Sequence, residues 1–356
     1  MKRNRRRLSL FFLSLWVLFS PFVLRSDTFA SEEKEALIKW EGKVVLSENF
    51  VVREVEKLVV EPGTEIVVSP DKNIIIRILG SIEVRGEKDR PVKFRPEGEI
   101  APGKWNGIRI ANPRENILKN CTIEGAASGI SLTESSLSIE ASTIQLCNSA
   151  VKVFQRSVAR VKDCLFSNNI MGIQVSLSGK IEIMGSRFES NREIGIVIEN
   201  GATGSVKRSE FSNGKIGLFG FTKSPVVTEE SNFHSLEQGV VFRQVGRNSA
   251  LRYCTFEKNT TGLQSVQFSF ERISDSHFKN NRTAIDVREF SSPHITHCEF
   301  HNNEVGINLF RKSNSLVDFN VFRNNRTAMI LNFSCYPVIH DNNLERNEIH
   351  VKLGKF

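Results

Sequence analysis

One twelve-residue phrase is written three times in this chain: CLFSNNIMGIQV at 164–175, CTFEKNTTGLQS at 254–265 and CEFHNNEVGINL at 298–309. With its first residue as position zero, the equivalents are Cys121, Ser142, Cys164, Ser186, Ser209, Ser231, Cys254, Ser276, Cys298, Asn320 and Asn342, spaced 21 to 23 residues apart. Two residues on, Ile123 and Ile144 are followed by Phe166, Phe188, Phe211, Phe233, Phe256, Phe278, Phe300 and Phe322, then Leu344. Five on, Asn169, Asn191, Asn259, Asn281, Asn303, Asn325 and Asn347 recur, and eight on stands a small residue such as Gly172, Gly262 or Gly306. A period near 22 made of short apolar alternations, with no helical period, predicts a solenoid of strands. Leucine-rich repeats share the period, but their Leu-x-x-Leu-x-Leu frame is absent.

Each repeat holds about three short strands, and successive coils stack at the strand spacing of about 4.8 Å. The Phe row then stacks ring on ring inside the coil. The Asn row falls at a turn, where side-chain amides pair backbone groups that the bend leaves over. The Gly row is expected to supply a backbone conformation that a Cβ forbids. The sequons at Asn259, Asn281 and Asn325 belong to the Asn row, so the turn accounts for them.

The pattern resembles the right-handed parallel β-helix family, the pectate-lyase-like superfamily, and most of all its bacterial exported members with NosD-type repeats. LVVEPGTEIVV (Leu58–Val68), GSIEVRGEKDRPVKF (Gly80–Phe94) and PGKWNGIRI (Pro102–Ile110) are similar to the opening coils of such proteins. The resemblance implies an all-β, right-handed parallel β-helix solenoid of about fourteen coils in a single domain, 31–356. Within it, 31–57 is expected as an N-terminal cap, 58–120 as opening coils and 121–356 as regular 22-residue repeats. Activity does not follow, because this fold carries lyases, hydrolases, epimerases, adhesins and inert scaffolds.

Ahead of the repeats, MKRNRRR is basic, Leu8–Phe19 is apolar, and Thr28-Phe29-Ala30 places small residues for cleavage before Ser31. Residues 1–30 therefore read as a signal peptide and the chain as exported, to the periplasm or beyond. An uncleaved anchor is the alternative, since Leu8–Leu24 approaches spanning length. Of the net charge of +8, this segment holds six cations against Asp27, which leaves +3 for the remainder. Without a basic surplus, nucleic acid drops out as a partner. Cys121, Cys164, Cys254 and Cys298 share one row, and the nearest lie two coils, about 9–10 Å, apart. That exceeds disulfide reach, so small apolar core residues are expected instead.

The strand after each Gly alternates inward and outward residues. One outward row contains Gln174, Val197, Phe219, Val241, Gln264, Asp286 and Asn308, and the next contains Glu199, Phe221, Arg243 and Arg288. Phe219, Phe221, Val241, Arg243 and Gln264, with Val197, are the candidate ligand site: an exposed apolar patch beside planar polar groups, suited to stacking on sugar rings. Cover by a long turn, or self-association through the patch, is the other reading. The outward carboxylates Glu199 and Asp286 lie four coils, about 19 Å, apart, whereas glycoside hydrolysis needs about 5–9.5 Å. A non-catalytic envelope protein contacting polysaccharide or another envelope component is therefore expected. The alternative is a polyuronate lyase using Arg243 or Arg288 with Asp286 and calcium. A weaker one, implied by the NosD resemblance, is periplasmic copper handling through Asp275, His297 and His301. Asp275 and His297 hold one position in adjacent coils. The last repeat ends at Leu353 with Lys352 and Lys355 beside an open edge, a second route to self-association.

Overall fold

The computed structural model describes residues 35–70, 73–332 and 334–354. The signal peptide expected at 1–30, and Lys355, lie outside the described residues. The rest is an all-β, right-handed parallel β-helix. Three parallel sheets of 14 strands each run its length, and every third strand along the chain joins the same sheet. The segment expected to cap the solenoid carries a complete coil instead: Ala36–Trp40, Lys43–Leu46 and Phe50–Val52 pair with Glu56–Val60, Glu65–Val68 and Ile75–Ile78. Its inward residues Trp40, Leu46 and Val52 are buried on the coil that follows. The repeat phrase is missing there, so only the pairing reveals the coil.

Parallel pairing sets each residue against its own equivalent, as Phe188 against Phe211 and Phe256 against Phe278. Eight phenylalanines from Phe166 to Phe322 therefore form one column, with centroids 4.5–5.1 Å apart and planes within 12° of parallel. Each buried ring contributes about 2–3 kcal/mol by area alone.

The Asn column does what a buried bend requires. Asn281 Nδ2 donates to the Phe256 carbonyl at 3.0 Å, and Asn303 Oδ1 accepts from both Asn281 N (2.9 Å) and Asn281 Nδ2 (3.0 Å). The side chain of one coil thus closes the turn of the coil before it. At position zero, Ser and Asn accept from the backbone of the preceding coil, as Cys254 N to Ser276 Oγ (3.1 Å) and Cys298 N to Asn320 Oδ1 (2.9 Å). Burial pushes the thiols of Cys121, Cys254 and Cys298 up to about 12, and that of Cys164 to about 11.

The Gly row has a different cause from the one expected. None of Gly129, Gly172, Gly217, Gly239, Gly262 and Gly306 has a left-handed φ. What excludes a larger residue is closeness: a Cβ on Gly262 would lie 2.6 Å from the Ala284 carbonyl oxygen and 3.1 Å from the Phe278 ring. The left-handed positions fall to turn residues such as Asn168, Asn280, Asn302 and Asn324.

Candidate functional site

The third sheet, which begins with Phe50–Val52, brings the expected ligand residues together. Its register runs Gln174, Val197, Phe219, Val241, Gln264, Asp286 and Asn308 in one ladder across its outer face. Beside it, Glu199 faces Phe221, Arg243 faces Val266 and Arg288 faces Phe310.

Exposure departs from expectation. Val197 is 6% exposed and Val241 5%, so neither belongs to an open apolar patch. The cause is the strand spacing of about 4.8 Å, which seats the Phe219 ring between the two valines and covers both. Phe219 and Phe221 are half-buried, with ring centroids 6.5 Å apart. Arg243 is exposed, and its guanidinium lies 6.0 Å from the Phe221 centroid. What remains open here is two tilted rings and a cation.

Asp286 is no open carboxylate either, being 3% exposed. Its Oδ2 accepts from Arg288 Nε (2.7 Å) and Gln264 Nε2 (3.1 Å), and its Oδ1 from Asn308 Nδ2 (2.8 Å). The chain of amides extends from Gln238, which donates to Gln264 at 3.1 Å, to Asn332, which donates to Asn308 at 2.9 Å. Both oxygens of this carboxylate are engaged, and Arg288 is held as its counter-ion. Glu199, farther along, accepts from Gln174 at 3.3 Å.

The histidines are dispersed. Asp275 and His297 share the turn from the first sheet to the second, both left-handed (φ 51° and 52°), and His297 stacks on Phe319 at 5.3 Å. His301 lies on the second sheet, 3.5 Å from Glu299 Oε2, while His294 lies on the first, 2.9 Å from Asp318 Oδ1. Among the described residues, no group of three or more His, Cys, Asp or Glu is placed to hold a metal ion.

Charge distinguishes the faces more sharply than any cluster. On the first sheet, Glu140 lies between Lys162 (3.2 Å) and Lys119 (3.6 Å), Glu182 between Lys180 (2.7 Å) and Arg160 (3.4 Å), and Glu229 between Lys207 (2.6 Å) and Arg252 (2.5 Å). The neighbouring lysines hold all three carboxyls below the ordinary range. The second sheet does likewise with Arg95–Glu65, Lys279–Glu257 and Arg323–Glu345. On the third sheet, one pair among the described residues joins two of its side chains, Arg288 with Asp286. Among the described residues, Arg77, Arg109, Lys152 and Arg243 have no carboxylate partner there, and Arg77 pairs directly against Arg109.

Two further features belong to neither outward row. Phe268 and Phe290 form an exposed stacked pair at the edge between the third sheet and the first. Their 22-residue spacing is a readable signal, but it lies beyond the last strand position that the Gly row indexes. Glu271 is the other: it is 1% exposed inside the coil, with neither oxygen in hydrogen-bond geometry. Burial pushes its carboxyl up to about 7, against a small opposing effect from its own backbone and the Ser265 hydroxyl beside it.

Residues 97–185, 172–322 and 282–354 match the family model described as a right handed beta helix region. Among solved structures, the chain is similar to the periplasmic alginate epimerase AlgG, at 13% identity and a TM-score of 0.59, over 89% of this chain and 85% of that one. It is also similar to the A-module of the Azotobacter vinelandii mannuronan C-5 epimerase AlgE4, at 12% identity and a TM-score of 0.43, over 84% and 89% of the two chains. Among curated proteins there is no match. At such identities the structural likeness concerns the fold alone.

Proposed function

This chain belongs to the right-handed β-helix family, and from that premise we propose that it is an exported, non-catalytic envelope protein that holds polysaccharide against its third sheet. The observation that carries the reading is the uncompensated outer face of that sheet. Arg77, Arg109, Lys152 and Arg243 lack carboxylate partners among the described residues, and the half-open rings of Phe219 and Phe221 lie on the same face. On the other two sheets most cations have a carboxylate beside them, as Lys207 and Arg252 have Glu229. Rings beside guanidinium groups suit the mixed apolar and polar surface of a sugar. A fold neighbour that is an alginate epimerase agrees with a polysaccharide partner.

Against catalysis stands the Asp286 ladder, which leaves Arg288 and its carboxylate occupied by each other. The test is retention of the full chain on a polysaccharide array, with an assay for unsaturated uronate products in calcium. Wild type should be retained and release no product, while a Phe221→Ala, Arg243→Ala double variant should lose most retention. A calcium-dependent product that Asp286→Asn abolishes would establish a lyase instead.

A further inference from the structure

The turns from the third sheet to the first hold Arg156, Ser178, Phe268, Phe290, Lys312 and Ser334 at φ between 60° and 64°. Four of these equivalent positions are polar; in two adjacent coils the residue is Phe. A bulky side chain is disfavoured in this conformation. Burial does not offset that cost, because Phe268 is 55% exposed and Phe290 45%. The rings instead stack on each other, centroids 5.1 Å apart and planes 8° from parallel.

Cations line the same edge. Lys312 Nζ lies 5.4 Å from the Phe290 centroid, and the Arg247 guanidinium 5.7 Å from that of Phe270. Neither they nor Lys223 have a carboxylate partner among the described residues. Glu289, on the same edge, is occupied by Arg311 at 3.3 Å.

Three concavities run along this edge. One of 560 Å³ is lined by Gln244, Phe268, Phe290 and the paired Glu289 and Arg311, and one of 470 Å³ by Lys223, Gln244, Phe268 and Phe270. A third, of 300 Å³, is lined by Asn200, Phe221, Lys223 and Gln244. Shared walls make them one trough from Asn200 to Arg311, five coil steps or about 24 Å along the axis.

We propose that this trough binds an acidic oligosaccharide, with Phe268 and Phe270 against sugar rings and Lys223, Arg247 and Lys312 contacting its carboxylates. The proposal rests on the polysaccharide reading above and adds the class of sugar and its path. The trough follows the axis: Lys223 lines it, Arg247 on the next coil lies over the Phe270 ring of its wall, and Lys312, three coils beyond Arg247, lies over the Phe290 ring, which suits a linear chain bearing several negative charges. A second copy docked through the same edge would set like charges against each other.

The experiment is calorimetric titration of the full chain with oligogalacturonate and oligomannuronate, and with neutral dextran oligosaccharide, at low and high salt. Two double variants are compared with wild type. In Phe268→Ser with Phe290→Ser, the new residue is the one found at the equivalent positions Ser178 and Ser334. The second double variant is Arg247→Ser with Lys312→Ser. Each should lower affinity for the acidic sugars at least tenfold with the melting temperature unchanged, and high salt should weaken wild type similarly. Unchanged affinity in both variants, with binding lost in Phe219→Ala with Arg243→Ala, would overturn the trough and leave the third-sheet reading standing. Equal affinity for dextran would overturn the acidic class. Binding of none of these sugars by wild type would remove both readings. Lost self-association in the variants, without any change in sugar affinity, would assign the edge to a contact between copies.

Discussion

The outer faces of the first and third sheets have the same geometry, one residue per coil at the strand spacing, yet opposite chemistry. Glu140 on the first sheet lies between Lys162 and Lys119, all three open to solvent, and each can be exchanged with little consequence because water replaces the partner. Asp286 on the third sheet is buried among Arg288, Gln264 and Asn308, while Arg77, Arg109, Lys152 and Arg243 have no carboxylate partner among the described residues. A face that neutralises itself has finished its interactions. The third sheet and its edge have cations left over, and the proposed ligand of opposite charge is assigned to them on that difference.

The harshest test removes the frame on which both faces depend. Phe256→Asp places an unpaired carboxylate between the Phe233 and Phe278 rings and should cost about 5 kcal/mol or more, abolishing the cooperative melt. A melt near wild type would mean the shared register is wrong, and with it the comparison. Next, Asp286→Ala should cost about 3–5 kcal/mol by leaving Arg288 and two amides without their acceptor. Glu140→Gln should cost about 1 kcal/mol or less and lose even that in high salt. Equal losses in denaturant titration would erase the distinction between the faces.

Glu271 gives a pH test beneath the two faces. Its folded value, about 7 against an ordinary 4.5, means that the folded state binds the extra proton between those limits. Stability from this group therefore falls as pH rises above about 4.5, by about 3 kcal/mol in all, and levels off above about 7. Glu140, Glu182 and Glu229 act in the opposite sense, since their lowered values make their contribution disappear as pH falls. Melting from pH 4 to 8 should show the Glu271 contribution of wild type declining between about pH 4.5 and 7, and Glu271→Gln should flatten that limb alone. The smallest effect concerns Arg109→Glu, which replaces a like-charge pair with an attractive one against Arg77. Stability should rise by about 0.2–1 kcal/mol while retention on acidic polysaccharide falls. A rise in both would show that the third-sheet cations are not there for a ligand.

The outward ladder from Gln174 to Asn308 was legible in the repeat because a period of one coil makes sequence equivalents into neighbours. The buried state of Val197 and Val241 was not, because the cover comes from the Phe219 ring on another coil. The Asp286 ladder was hidden for a related reason: Gln264, Arg288 and Asn308 appear as an outward polar row, and only their distances turn the row into a closed network. Phe268 and Phe290 were passed over because the turns vary in length, so an index anchored on the Gly row ends before it reaches them.

By itself the sequence determined the solenoid, its coil length, the Phe and Asn columns and which residues meet across coils. Those properties follow from repetition, since every coil must fill the same cross-section and pair the same backbone groups. Tertiary structure alone decided which outward side chains remain open, that the Gly row answers to a carbonyl oxygen 2.6 Å from a would-be Cβ rather than to φ, and which cations lack partners. Exposure and charge pairing depend on distances between side chains of three or more coils at once, and a row read one position at a time does not contain them.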